Sequence, residues 1–139
     1  MAVKAMVLAA GFGTRLGVTG IPKPLRPAAG RPMIDWVLDA LRRCGCKEVV
    51  VNVHHHAAQI REHLYRTDPG MRIHVVEELE ILGTGGGVLN AARYLDDDKP
   101  FLLHNADIFT AQDLRPFIDA HCGSCLLYTS PSPRDRTRS

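Results

Sequence analysis

The chain has 139 residues and a mass of 15.3 kDa, is 45% hydrophobic and 23% charged, and contains 12 Gly, 9 Pro and 4 Cys. That balance predicts one soluble globular domain burying roughly two-thirds of its unfolded surface, and excludes collagen-like, mucin-like and wholly disordered chains. The formal charge is +2, but residues 128–139 carry Arg134, Arg136 and Arg138 against Asp135, so the body is neutral and has no basic stripe for nucleic acid.

In chain order, Ala5-Met6-Val7-Leu8-Ala9-Ala10 is a continuous apolar run, as in a strand buried on both faces. It leads into Gly11-Phe12-Gly13-Thr14-Arg15-Leu16-Gly17 and then Pro22-Lys23-Pro24. Ile34, Val37, Leu38 and Leu41 at i, i+3, i+4, i+7 predict a helix, with Pro32 near its start. Cys44 falls near its end, and the two close pairs Cys44/Cys46 and Cys122/Cys125 are read as reduced, buried thiols. Val49-Val50-Val51-Asn52-Val53 predicts a second strand, followed by His54-His55-His56 as a helix entry and a short helix with Ala57, Ile60 and Leu64 inward. Ile73-His74-Val75-Val76 is a weaker strand, expected near an edge. The glycine run 83–87 precedes one helix with Val88, Ala91, Ala92 and Leu95 inward. Phe101-Leu102-Leu103 predicts a fourth strand, and Leu114, Phe117 and Ile118 a fourth helix capped by Thr110 and Asp113. The order βαβαβαβα implies an α/β fold: a Rossmann-like, mostly parallel sheet with helices on both faces and ligands beyond the carboxyl ends of its strands.

Residues 128–139 are Ser/Pro/Arg-rich and aperiodic. The stretch from about Leu126 resembles translated adaptor sequence, so the domain is assigned to 1–125 and 126–139 to a disordered, non-native tail. No apolar run approaches the ~18–20 residues of a membrane span, and Met1-Ala2-Val3-Lys4 does not read as a cleavable signal. A cytoplasmic protein without membrane or nucleic-acid partners is expected.

A glycine loop after a buried strand lets backbone approach a ligand and lets successive N–H groups cradle phosphate. A dinucleotide fingerprint needs a third glycine where Leu16 stands, which counts against an NAD-binding domain. A P-loop needs Gly-Lys-Ser/Thr, and the chain has no Lys-Ser or Lys-Thr. Arg15 in the loop and Lys23 between two prolines, expected on a stiff extended segment, place two cations for polyphosphate chemistry.

Leu8-Ala9-Ala10-Gly11-Phe12-Gly13-Thr14-Arg15-Leu16, with Pro22-Lys23-Pro24-Leu25 and Ala29-Gly30-Arg31-Pro32-Met33-Ile34, resembles the sugar-1-phosphate nucleotidyltransferase family. Leu82-Gly83-Thr84-Gly85-Gly86-Gly87 and Phe101-Leu102-Leu103-His104-Asn105-Ala106-Asp107 extend the likeness over nearly all of 3–121. It looks most similar to the bacterial branch acting on N-acetylmuramate 1-phosphate or mannose 1-phosphate.

The resemblance implies a truncated nucleotide-diphospho-sugar transferase fold and transfer from UTP or GTP to a sugar 1-phosphate. An NDP-sugar for cell-envelope synthesis or recycling, and pyrophosphate, would be the products. It implies that Ala9, Ala10, Gly11, Gly13, Thr14 and Arg15 hold the nucleoside triphosphate, with backbone near Ala9 and Ala10 at the base. Arg15 and Lys23 would stabilise charge on the departing pyrophosphate and α-phosphate; Gly85 and Gly86 would lie against base or ribose. Asn105 would contact substrate, and Asp107 would bind Mg²⁺, a hard cation suited to one carboxylate plus phosphate oxygens.

Two departures matter. The segment between Arg15 and Pro22 is shorter than the family's, and the later half that supplies a second metal-binding aspartate is missing, so a nearly inactive chain with poor or no nucleotide binding is expected. The alternatives are a cytidylyltransferase for a phosphorylated alcohol such as phosphocholine and a non-catalytic nucleotide-sensing domain of the same fold.

Overall fold

The computed structural model describes residues 3–10, 20–80, 82–108 and 112–124. Strand β1 (Lys4–Leu8) is followed by a 3-10 turn (Lys23–Leu25), then by the short strands β2 (Pro27–Ala28) and β3 (Arg31–Pro32) and helix α1 (Met33–Arg43). Next come β4 (Glu48–Val53), α2 (Ala57–Arg66), β5 (Arg72–Glu77), α3 (Gly83–Asn90), α4 (Ala92–Leu95), β6 (Phe101–Asn105) and α5 (Arg115–Ser124). The main sheet runs β5-β4-β1-β6 with every neighbouring pair parallel; Ala5 stands opposite Val49 on one side and Leu102 on the other. The chain builds outward from β1 to β5, then crosses back to place β6 on β1's free side. The β1–β6 junction is therefore the point where strand order reverses.

Successive residues of a strand face opposite sides of the sheet, and here both sides are covered. Ala5, Val7, Val49, Val51 and Val53 pack with Ile34, Leu38 and Leu41 of α1 and Ile60 and Leu64 of α2, and with Ile118 of α5 at the margin. On the other face Met6 and Val50 meet Val76, Ala91 and Leu95, with Val88 and Tyr94 alongside. Met6, Ile34, Leu38, Leu41 and Ile60 are among the largest fully buried side chains, each contributing about 1.5–3 kcal/mol of apolar transfer. β5 is an edge strand, and Val76 is its one buried residue.

Several expectations change in detail. The helix read through Val88 and Leu95 is broken at Ala91 (φ −95°, ψ 3°), and only four residues continue it as α4. Thr110, one half of the expected capping box, lies outside the described residues. Asp113 accepts the Arg115 N–H at 3.0 Å and holds its side chain as well, so the helix begins two residues later. Pro32 is the N-cap of α1, outside its first turn. The β2–β3 hairpin was not read from the sequence. Ala29 (φ 50°) and Gly30 (φ 82°) both take left-handed backbone, the geometry of a two-residue hairpin turn. Trp36 holds this hairpin to α1: its Nε1 donates to Ala28 O at 2.6 Å while the Arg31 guanidinium lies 4.5 Å over the ring. Cys46 is buried and Cys44 half-buried, with a hydrogen bond and no disulfide between their sulfurs at 3.9 Å. Cys122, in α5, is exposed rather than buried as expected, and Cys125 lies outside the described residues.

Candidate active site

At the carboxyl ends of β1, β4 and β6 the sheet opens into a cleft of about 370 Å³, a size suited to a small ligand. Leu8, Ala9 and Ala10 form its floor as β1 ends. Asn105, Ala106 and Asp107 form one wall after β6, with Pro22, Lys23 and Pro24 at the mouth; Gly83 and Thr84 bring up the start of α3.

Lys23 does not lie on extended chain. It opens a 3-10 turn closed by Leu25 N–H to Pro22 O (2.9 Å) and Arg26 N–H to Lys23 O (3.1 Å). Pro22 is extended (φ −61°, ψ 146°) and Pro24 is buried, while Leu25 packs against the core, so the lysine backbone is still held. Asp107 follows buried Ala106, whose N–H donates to Leu8 O at 3.0 Å and carries the β1–β6 ladder one residue past β6. The Lys23 ammonium meets Asp107 Oδ2 at 2.8 Å, with both side chains about half exposed.

Beneath this pair lies a buried polar network. Asn52 Oδ1 accepts the Ala9 N–H at 2.8 Å, and Asn52 Nδ2 donates to Glu78 Oε1 at 2.9 Å. Glu78 Oε2 accepts the Leu82 N–H at 3.3 Å, and Glu78 O accepts the His54 Nδ1–H at 2.6 Å. Asn52 and Glu78 are each 3% exposed, and the network joins the ends of β1, β4 and β5 to the chain entering α3. Gly87 packs directly on it. A Cβ there would lie 2.8 Å from Asn52 Nδ2 and 2.9 Å from Glu78 Oε1.

Of the residues singled out in the sequence, Ala9, Ala10, Lys23, Asn105 and Asp107 converge on the cleft. Gly11, Gly13, Thr14 and Arg15 lie outside the described residues. Gly85 and Gly86 sit one turn into α3 and do not line the cleft; Gly83 and Thr84 do. The Ala9 N–H is taken by Asn52, so that amide is a structural donor. Of the three histidines, His56 is the left-handed N-cap of α2 (φ 54°), His54 bonds to Glu78 O, and His55 lines the cleft. Sequence reasoning missed Asn52 and Glu78. Asn52 left a signal, a lone amide in a valine run; Glu78 left none.

The cleft lies at the reversal of a parallel sheet, where open α/β sheets place their ligands, with a cation, a carboxylate and a helix start around it. The chain belongs to the MobA-like NTP transferase domain family, which matches residues 5–132. It is 40% identical over 103 residues to the bifunctional protein GlmU of Cupriavidus taiwanensis, covering 74% of this chain and 22% of that one. It is 35% identical over 128 residues to the mannose-1-phosphate guanylyltransferase catalytic subunit beta of Dictyostelium discoideum, covering 87% of this chain and 36% of that protein. The crystal structure of HddC from Yersinia pseudotuberculosis complexed with GMP-PN superposes with a TM-score of 0.75 at 29% identity, covering 86% of this chain and 54% of that chain. The chain thus spans about a fifth to a third of these curated relatives and half of the solved neighbour.

Proposed function

We propose that this chain holds the nucleoside triphosphate in an enzyme that transfers a nucleotidyl group from UTP or GTP to a sugar 1-phosphate, releasing pyrophosphate. The observation that carries the reading is the Lys23–Asp107 pair at the mouth of the switch-point cleft: one group suits phosphate oxygens and the other a hard cation. Relatives named as a mannose-1-phosphate guanylyltransferase and as GlmU, and a neighbour solved with GMP-PN, support it.

The donor set fits Mg²⁺ of one kind only. Among the described residues no three His, Cys, Asp or Glu side chains gather as a cage. Asp107 is one half-exposed carboxylate, which suits an ion completed by phosphate oxygens and water. When bound, Mg²⁺ would draw charge from the phosphates undergoing in-line displacement. Lys23 would neutralise the phosphate chain from the mouth of the cleft, and Asn105, on the wall beside Asp107, would contact nucleotide or sugar phosphate. By family resemblance Arg15 and the glycines of its loop join Lys23, while Gly85 and Gly86 support the base side. This part of the domain is assigned to residues 1–125. The product is read as an activated sugar for the cell envelope, made in the cytoplasm, where nucleoside triphosphates are held.

The test has two arms. GTP and UTP with Mg²⁺ are titrated against the chain, and Lys23→Ala is expected to weaken binding about tenfold or more, as for loss of a charged hydrogen bond. Pyrophosphate release is then followed with a panel of sugar 1-phosphates, and with CTP and phosphocholine. Turnover only in the last mixture replaces the reading with the cytidylyl alternative, and failure to bind any triphosphate removes it.

A further inference from the structure

We propose that the Lys23 ammonium is a placeholder for the divalent cation on Asp107, so that metal and triphosphate enter by exchange, each displacing one half of an existing ion pair. The inference rests on the reading of the cleft given above. Both partners are held at the backbone. Lys23 heads the 3-10 turn whose bonds run to Pro22 O and Lys23 O, and Asp107 follows Ala106, whose N–H is tied to Leu8 O. Only side-chain torsions are left to make or break the contact. The ammonium reaches Asp107 Oδ2 at 2.8 Å, with side-chain exposures of 53% and 41%. A solvent-screened pair of this kind changes an equilibrium constant by at most about fivefold, so it opens at little cost.

The consequence follows from charge. A divalent ion arriving alone gains the carboxylate but leaves the ammonium unpaired beside a dication. A triphosphate arriving alone gains the ammonium but leaves the carboxylate facing its own negative charge. Arriving together, each supplies the partner that the other releases. Lys23 therefore opposes metal binding in the empty cleft and favours nucleotide binding in the loaded one, while Asp107 does the reverse for metal-free phosphate.

The test uses Mn²⁺ alone and inorganic tripolyphosphate as probes. Free Mn²⁺ is read by electron paramagnetic resonance for the chain, Lys23→Gln, Lys23→Arg and Asp107→Asn, with far-UV circular dichroism confirming the fold. Lys23→Gln is expected to tighten Mn²⁺ binding about two- to fivefold, Lys23→Arg to stay near the parent value, and Asp107→Asn to lose the site. In EDTA, Asp107→Asn is expected to bind tripolyphosphate more tightly than the parent, by a similar factor. The proposal is overturned if Lys23→Gln binds Mn²⁺ no better than the parent, if Asp107→Asn retains the site, or if metal-free tripolyphosphate binding does not improve. Failure of the parent to bind GTP or UTP with Mg²⁺ overturns the cleft reading instead, and the Mn²⁺ series still decides the exchange.

Discussion

Replacing Gly87 by Ala puts a methyl group where the buried network has no room. The added Cβ would stand 2.8 Å from Asn52 Nδ2 and 2.9 Å from Glu78 Oε1, both polar side chains held at 3% exposure. Either α3 moves off the sheet or the 2.9 Å hydrogen bond between Asn52 and Glu78 parts. Leaving such a buried group unsatisfied costs about 1–3 kcal/mol, and overpacking alone costs a similar amount. Against this, Ala is favoured over Gly within a helix by about 1 kcal/mol. The balance is a loss of up to about 2 kcal/mol, equivalent to as much as roughly 8 °C in Tm for a domain of this size. Gly85→Ala is the internal control, because nothing lies within 4 Å of its Cβ position and only the helix term remains. Thermal and urea unfolding followed by circular dichroism should therefore move the two variants in opposite directions. A Gly87→Ala chain as stable as Gly85→Ala would refute the reasoning that α3 is seated on the Asn52–Glu78 pair.

Three further outcomes are expected. Asn52→Ala removes the acceptor of the Ala9 N–H and the donor to Glu78 together, and should cost about 2–4 kcal/mol in urea unfolding. Leu41→Ala, at a site with no exposure, should cost about 2–5 kcal/mol, whereas Leu89→Ala, at 77% exposure, should stay within about 0.5 kcal/mol by the same measurement. The Cys46 thiol donating to Cys44 lowers the Cys44 pKa to about 7, against the burial that raises it. Because the thiolate is the reactive form, carbamidomethylation mapped to Cys44 by mass spectrometry should rise through about pH 7, and Cys46→Ala should move that rise to higher pH.

The layered core was legible in the sequence because burial on two faces leaves a direct mark. Ala5 to Leu8 and Val49 to Val51 are apolar without alternation, and both runs lie in strands covered on two faces. The inward faces of α1 and α2 were equally readable, since a helical period of 3.6 lies within a few neighbouring residues. Short elements were not. The β2–β3 hairpin has two residues a side, and its turn is read from backbone angles, Ala29 included, that no periodicity records.

Sequence alone determined which residue types were on hand for phosphate and cation chemistry, and that Ala9, Ala10, Lys23, Asn105 and Asp107 fall at strand ends or between prolines. Only the tertiary structure decided which of them meet. Returning β6 to the free side of β1 sets Asp107 against Lys23, and pairing β4 between β1 and β5 sets Asn52 between Ala9 and Glu78. Strand order is a long-range choice made by packing two apolar faces at once. A polar contact made across that order leaves no local periodicity by which either partner could be recognised.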